Sequence, residues 1–236
     1  MGAEFYGEDF QGPDVAPFVG INTFLHLPWI KNQKELLEAK PDVAIIGEPF
    51  DFGTTIRPGA RYGPRAIRAA STVPSPPFER FNIETGADPF GTFRTVDYGD
   101  VIVSPGDVIK SHKNMTLKVK EVLEADGIPV MLGGDHSITY ANVRAFAKKF
   151  KNIGMIHFDT HADCAPQGLT GFKYDHGAHI RRIMEMGCLK GKNYSLVGPR
   201  GYWPGRDLYK WMSDQDFQWF TMLDVEELGI DYIAKE

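Results

Sequence analysis

The sequence predicts an α/β protein in three layers, a parallel sheet with helices on both faces. Two observations carry this. From Pro41 onward, short β-branched runs alternate with longer stretches of helical period, the pattern of parallel strands joined by crossover helices. The composition, 42% hydrophobic and 24% charged over 236 residues, is that of a chain able to bury a core. No repeat, low-complexity tract or linker breaks the alternation, so one domain over 1–236 is expected.

The elements follow in order. Residues 1–40 read as an N-terminal arm. Its Phe18, Phe24, Leu25, Leu27, Trp29 and Ile30 have no period and suit packing onto the domain or a neighbouring subunit. Residues 43–47 form the first strand and 64–70 the next helix. Residues 108–125 form a helix, because Val108, Ile109, Met115, Val119, Val122 and Leu123 fall near a 3.6 spacing. Strand 129–132 precedes helix 137–150, strand 153–158 precedes helix 179–186, and strand 194–197 follows. A last strand at 219–222 leads into a helix over 224–235.

Several function classes are excluded at this level. There are 26 basic and 31 acidic residues, net −5, without a Lys/Arg run, so no nucleic-acid partner is expected. No apolar run approaches the roughly 18 residues of a membrane span. Met1-Gly2-Ala3-Glu4 has neither a basic nor an apolar region of a signal peptide. The two cysteines, Cys164 and Cys188, make no disulfide framework. The expectation is a cytoplasmic protein.

Open α/β sheets place their sites at the carboxyl ends of strands. After strand 153–158 come Asp159, His161 and Asp163 at i, i+2, i+4, which share one face if the strand continues. Two carboxylates and an imidazole converging there call for a positive partner. Carboxylate and imidazole donors without thiolates suit a divalent first-row cation rather than a structural zinc. After strand 129–132 comes Gly133-Gly134-Asp135-His136-Ser137, which would bring a further imidazole, with Asp135 available to orient it. A lone Asp-x-His is usually a solvated turn; two such groups after two strands are not so easily explained.

Gly133-Gly134-Asp135-His136-Ser137 and His157-Phe158-Asp159-Thr160-His161-Ala162-Asp163 resemble the two N-terminal signatures of the ureohydrolase family, that is, arginase, agmatinase and their relatives. The stretch from Phe50 through Gly53-Thr54-Thr55 to Arg57-Pro58-Gly59-Ala60-Arg61 and Arg68 looks like the agmatinase branch. The resemblance, from about Pro41 to the end, implies an arginase-like fold and two divalent cations, Mn²⁺ first and Ni²⁺ as the other candidate. Asp159 would bridge the ions, His136 and Asp163 would serve one, and His161 the other. It also implies a homo-oligomer, trimeric or hexameric. The family's third signature, Ser-x-Asp-x-Asp-x-x-Asp-Pro, has no counterpart in residues 1–236, so the expectation is that the C-terminal part of the domain is missing from this chain.

The implied activity is hydrolysis of a small guanidino compound, agmatine-like, to urea and an amine. A guanidinium is planar, resonance-stabilised and charged at ordinary pH, so its carbon needs a strong nucleophile and its leaving amine needs a proton. Tyr174-Asp175-His176-Gly177 resembles an Asp-His-Gly step of agmatinase-like enzymes, which makes His176 the candidate proton shuttle. The alternative is a helix-entry histidine, with Asp175 as cap. His179 and His157 read as structural, Cys164 as a small filler and Lys173 as solvated. The loop 165–173 is placed to read a substrate tail. The arginines of 57–68 are expected to pair with carboxylates. Two other readings stand beside this one: a formiminoglutamate-type hydrolase with the same motifs, and a non-catalytic metal-binding subunit of the same fold.

Overall fold

The computed structural model describes residues 18–72, 81–169 and 171–236. The reading of Met1–Glu4 as unlike a signal peptide and the first part of the 1–40 arm lie outside the described residues. The described residues fall into two compact units, one drawn from within 18–52 and 57–135, the other from within 53–56 and 136–236. Every pairing between named strands is parallel, as the α/β class requires.

The first unit holds a three-stranded sheet in the order β2-β1-β3, with β1 Val43–Gly47, β2 Thr95–Asp100 and β3 Ile128–Leu132. Val43 stands opposite Thr95 on one side and Ile128 on the other. Helix α1 (Gln33–Ala39) starts on Asn32, whose side chain accepts from the Glu35 amide. Helix α2 (Gly63–Ser71) brings Arg68 inward. Its Nε and Nη2 donate to the two oxygens of Asp97 at 2.7 and 2.9 Å, and it also pairs with Asp100. Gly63 lies so close to Gly133 that a Cβ there would collide with the Gly133 carbonyl oxygen. The short helix α3 (Pro89–Thr92) is capped by Asp88. Helix α4 (Val108–Glu124) is capped by Asp107, which accepts from the Lys110 amide at 2.8 Å. Met115, Val119 and Val122 are fully buried at 3–4 residue spacing. Each contributes roughly 1.5–3 kcal/mol by leaving water.

Strand β2 is a feature the apolar pattern does not reveal. Asp97, Gly99 and Asp100 interrupt its hydrophobic run, and the structure shows why they are tolerated. Asp97 is buried but forked by Arg68. A buried charge is stable when paired and hydrogen-bonded.

The second unit holds another parallel sheet, β4-β5-β6, with β4 Ile153–Phe158, β5 Leu189–Val197 and β6 Gln218–Phe220. Helix α5 is Ile138–Lys149, α6 is His179–Glu185 and α7 is Arg206–Asp214. Ala162, Cys164, Ile180, Ile183, Tyr194 and Leu196 are among the residues of one buried core. On β4 the pleat alternates: His157 is buried while Ile156 and Phe158 are exposed. The helix expected over 224–235 is two helices, α8 Met222–Leu228 and α9 Ile230–Ile233. Gly229 parts them at φ 80°, a left-handed conformation that glycine adopts without strain. Thr221 and Asp224 form a reciprocal capping box at the start of α8.

Candidate metal centre

His136, Asp159, His161 and Asp163 all lie in the second unit. The structure brings three of them into direct contact. His136 Nδ1 is 3.0 Å from Asp159 Oδ2 and 3.1 Å from Asp163 Oδ2. His161 stands further out: it is exposed, with Nδ1 3.8 Å from Asp159 Oδ1.

The convergence does not arise as the period-2 argument supposed. Strand β4 ends at Phe158, and 159–163 are turn and coil. Asp159 is placed by its amide, which donates to the Val197 carbonyl at 3.1 Å. Its Oδ1 then accepts from the His161 amide at 2.8 Å, closing a side-chain-to-backbone turn. Asp163 is turned by its backbone, with φ 45° in the left-handed region. Its neighbours Ala162 and Cys164 are both fully buried, and its carbonyl accepts from the Ile180 amide at 3.1 Å. Buried flanks on both sides and a hydrogen bond to α6 hold the kink in place.

One hydrogen on His136 Nδ1 cannot serve two carboxylates at 3.0 and 3.1 Å equally. Burial pulls the His136 pKa down, yet Asp163 and Asp159 outweigh it and hold the imidazole above its ordinary value. The arrangement demands positive charge at this point, and a divalent cation supplies more of it than a proton. The donor chemistry fits such an ion: carboxylate oxygens and imidazole nitrogens without thiolate.

Two histidines read as structural also face this cluster. His157 is core, as expected, but its Nε2 lies 3.5 Å from Asp159 Oδ2 and its Nδ1 is 2.7 Å from the Tyr194 hydroxyl. His179 is fully buried, with Nδ1 2.8 Å from the His176 carbonyl and 3.7 Å from Asp163 Oδ2. Burial, then the neighbouring His136, pushes both below the ordinary imidazole range, His179 furthest. Their closeness to the cluster was not assigned from the motifs. The signal available was His179 three residues after His176, at the start of α6.

His176 is half-buried, and its amide donates to the Gly53 carbonyl at 3.0 Å. Thr55 Oγ1 is 2.8 Å from His176 Nε2. Asp175 Oδ1 accepts from the Gly177 amide at 2.8 Å, so it caps a turn, while helix α6 begins later, at His179. Thr55 belongs to the motif that suggested the agmatinase branch, but the sequence assigned it no role. Cys164 is fully buried and its thiol is pushed up to about 12, as a filler residue should be. Lys173 is exposed. Thr170, in the 165–173 loop, lies outside the described residues. In the first unit, Arg61 pairs with Asp51 and Arg68 with Asp97, the carboxylate pairing expected of that stretch. Among the described residues, no helix is long and apolar enough to cross a membrane.

A family model described as the arginase family matches residues 41–236. The mitochondrial agmatinase of Gallus gallus is 37% identical over 213 residues, which cover 89% of this chain and 60% of that protein. The chain thus spans well under two thirds of this relative's length. Among solved structures, the proclavaminate amidino hydrolase of Streptomyces clavuligerus superposes with a TM-score of 0.79 at 28% identity, over 94% of this chain and 69% of that one. A Trypanosoma cruzi formiminoglutamase variant with Mn²⁺ gives a TM-score of 0.74 at 26% identity, over 83% and 64% of the two chains.

Proposed function

This chain belongs to the arginase family, and on that premise we propose that it is the metal-bearing part of an amidinohydrolase that cleaves a small guanidino compound to urea and an amine. The observation that carries the reading is His136 Nδ1 set between two carboxylates, at 3.0 and 3.1 Å. Asp159 would bridge two divalent cations, His136 and Asp163 would hold one, and His161 the other. Mn²⁺ is the first candidate and Ni²⁺ the second. Together such ions supply Lewis acidity and make water a nucleophile near neutral pH.

The chain's own residues do the rest. Asp163 and Asp159 balance the cationic charge. His176 carries the proton that the departing amine requires, and the Thr55 hydroxyl holds its ring at Nε2 so that Nδ1 can exchange that proton. An agmatine-like substrate is supported by the name of the Gallus gallus relative. A formimino substrate is the second reading, favoured by the likeness to the formiminoglutamase fold. One family model running through both units supports a single catalytic domain. We place it in the cytoplasm as a trimer or hexamer; the two free cysteines suit that compartment.

The test is to purify the protein, load it with Mn²⁺ or Ni²⁺, and measure urea release from agmatine, guanidinobutyrate and guanidinopropionate beside ammonia or formamide release from formiminoglutamate. Urea from a guanidino substrate supports the first reading, and products from formiminoglutamate alone support the second. Metal binding without turnover of any of these would favour the non-catalytic subunit.

A further inference from the structure

Between Asp163 and His176 the chain makes a loop with a closed neck, where the Ala165 amide donates to the Gly177 carbonyl at 3.0 Å. The first limb is tied to α6 by polar bonds. Arg181 Nε donates to the Cys164 carbonyl and Arg182 Nη2 to the Pro166 carbonyl, both at 3.1 Å. At the far end the Gly168 amide donates to the Phe172 carbonyl at 2.8 Å and turns the chain back. The returning limb, 172–176, ends in the proposed shuttle. Two of its side chains, Phe172 and Tyr174, are half-buried aromatics on either side of an exposed Lys173.

These rings join the limb to α5. Phe172 meets Tyr174 edge-on with centroids 5.9 Å apart, and Tyr174 meets Tyr140 at 5.4 Å. The Arg144 guanidinium lies over the Tyr140 ring at 5.5 Å. Aromatic pairs at such separations attract beyond their shared burial, and a cation over a ring adds to it. Tyr140 itself packs against the buried core of this unit, so the ladder has a fixed foot. Tyr140 follows His136 by four residues, in the first turn of α5, and Tyr174 precedes His176 by two. One ring pair thus links the helix that follows a proposed ligand to the segment that carries the proposed shuttle.

We propose that Tyr140 is a positioning residue for His176. Acting through Tyr174, it holds the returning limb against α5 and so sets where the His176 ring stands. A proton carrier works only within hydrogen-bond reach of the group it serves, and a displacement of about 1 Å is enough to lose turnover. Thr55 fixes the rotation of the ring; the Tyr174–Tyr140 pair fixes the limb on which the ring is mounted. The inference rests on the shuttle reading of His176 and adds the contact that places it.

The test uses the whole chain loaded with Mn²⁺, urea release from agmatine and guanidinobutyrate, and the variants Tyr140→Leu, Tyr140→Phe and His176→Ala. Leucine fills the core but offers Tyr174 no ring. Tyr140→Leu should lower kcat about fivefold, the worth of an aromatic pair, with KM and metal content unchanged. Tyr140→Phe keeps the ring and should restore kcat. In the His176→Ala background Tyr140→Leu should cost nothing more, because the group it places is gone. The NMR signal of the His176 ring C–H, assigned by its loss in His176→Ala, should move in Tyr140→Leu and stay in Tyr140→Phe. Additive losses in the double variant, or an unmoved ring signal, would overturn the proposal and leave Tyr140 as core packing. If the wild-type chain releases no urea, the proposed activity has failed and the ring signal alone decides this inference. Should Tyr140→Leu fail to fold, Tyr174→Leu removes the same ring pair from the loop side and replaces it in every comparison.

Discussion

Thr55 Oγ1 lies 2.8 Å from His176 Nε2, although 121 residues separate them in the chain. A hydroxyl at that distance fixes the rotation of a half-buried ring. Thr55 is thus a positioning residue for the proposed shuttle. Removing it should loosen the ring without touching the metal ligands.

His176→Ala is expected to lower kcat by about 10²-fold, the lower end of acid–base catalysis, with metal content unchanged. Thr55→Val should lower kcat by less and Thr55→Ser should restore it. Steady-state kinetics beside elemental analysis check both; metal loss from either variant would place these residues among the ligands instead.

Asp159→Ala should abolish binding of at least one ion, because both His136 and His161 face this carboxylate. Elemental analysis of the purified variant reads the outcome directly. Unchanged metal stoichiometry rejects Asp159 as a bridging ligand.

Arg68→Met leaves the Asp97 carboxylate buried without its fork. Breaking one side of a buried pair destabilises by about 3–5 kcal/mol. Urea unfolding should show a loss of that order; a change below about 1 kcal/mol would match an exposed pair instead.

The Asp51 carboxyl is held below the ordinary carboxylate range, by Arg61 first, against its burial and with help from the Gly59 amide. A depressed folded-state pKa contributes stability that is present above the unfolded value and is lost as pH falls through the folded one. Wild type should therefore exceed Asp51→Asn in stability at pH 7, and the gap should close as pH falls below about 4. Thermal unfolding of the two proteins across pH 7 to 3 measures this, and a constant gap would contradict it.

Native protein should react quickly with a thiol reagent at Cys188 alone. Cys164 is fully buried and its thiol is pushed up to about 12, so it holds no thiolate near neutrality. Mass spectrometry of labelled peptides before and after denaturation reads both sites.

Strands β1, β3 and β4 were legible from their short, mostly apolar runs, and α4 because its buried residues keep the helical period; β5 was legible only over 194–197, since Lys190, Gly191, Lys192 and Asn193 break its first half. β2 was hidden by Asp97 and Asp100, whose place in a strand depends on Arg68, a residue of another element. The division of 224–235 at Gly229 was missed because the apolar pattern continues across the glycine. In the site, residue types were legible and geometry was not. Asp159, His161 and Asp163 have the composition of a metal motif, but side-chain alternation does not bring Asp163 to His136; a left-handed backbone does. His157 opens the second signature but reads as core, and His179 lies outside both signatures. They meet the site only because β4 and α6 pack in the same unit.

The left-handed backbone at Asp163, φ 45°, narrows what this position can become. Beyond glycine, asparagine, aspartate and histidine enter that conformation most readily. Of these, glycine has no donor, and asparagine and histidine carry no negative charge. Glutamate would restore the charge on a longer arm but at a backbone angle it resists. A swap between acidic residues, harmless on most surfaces, should therefore be a disabling change here. Random mutagenesis of this codon, scored for retained metal, should return aspartate almost exclusively, a nearly one-letter alphabet enforced jointly by torsion and charge.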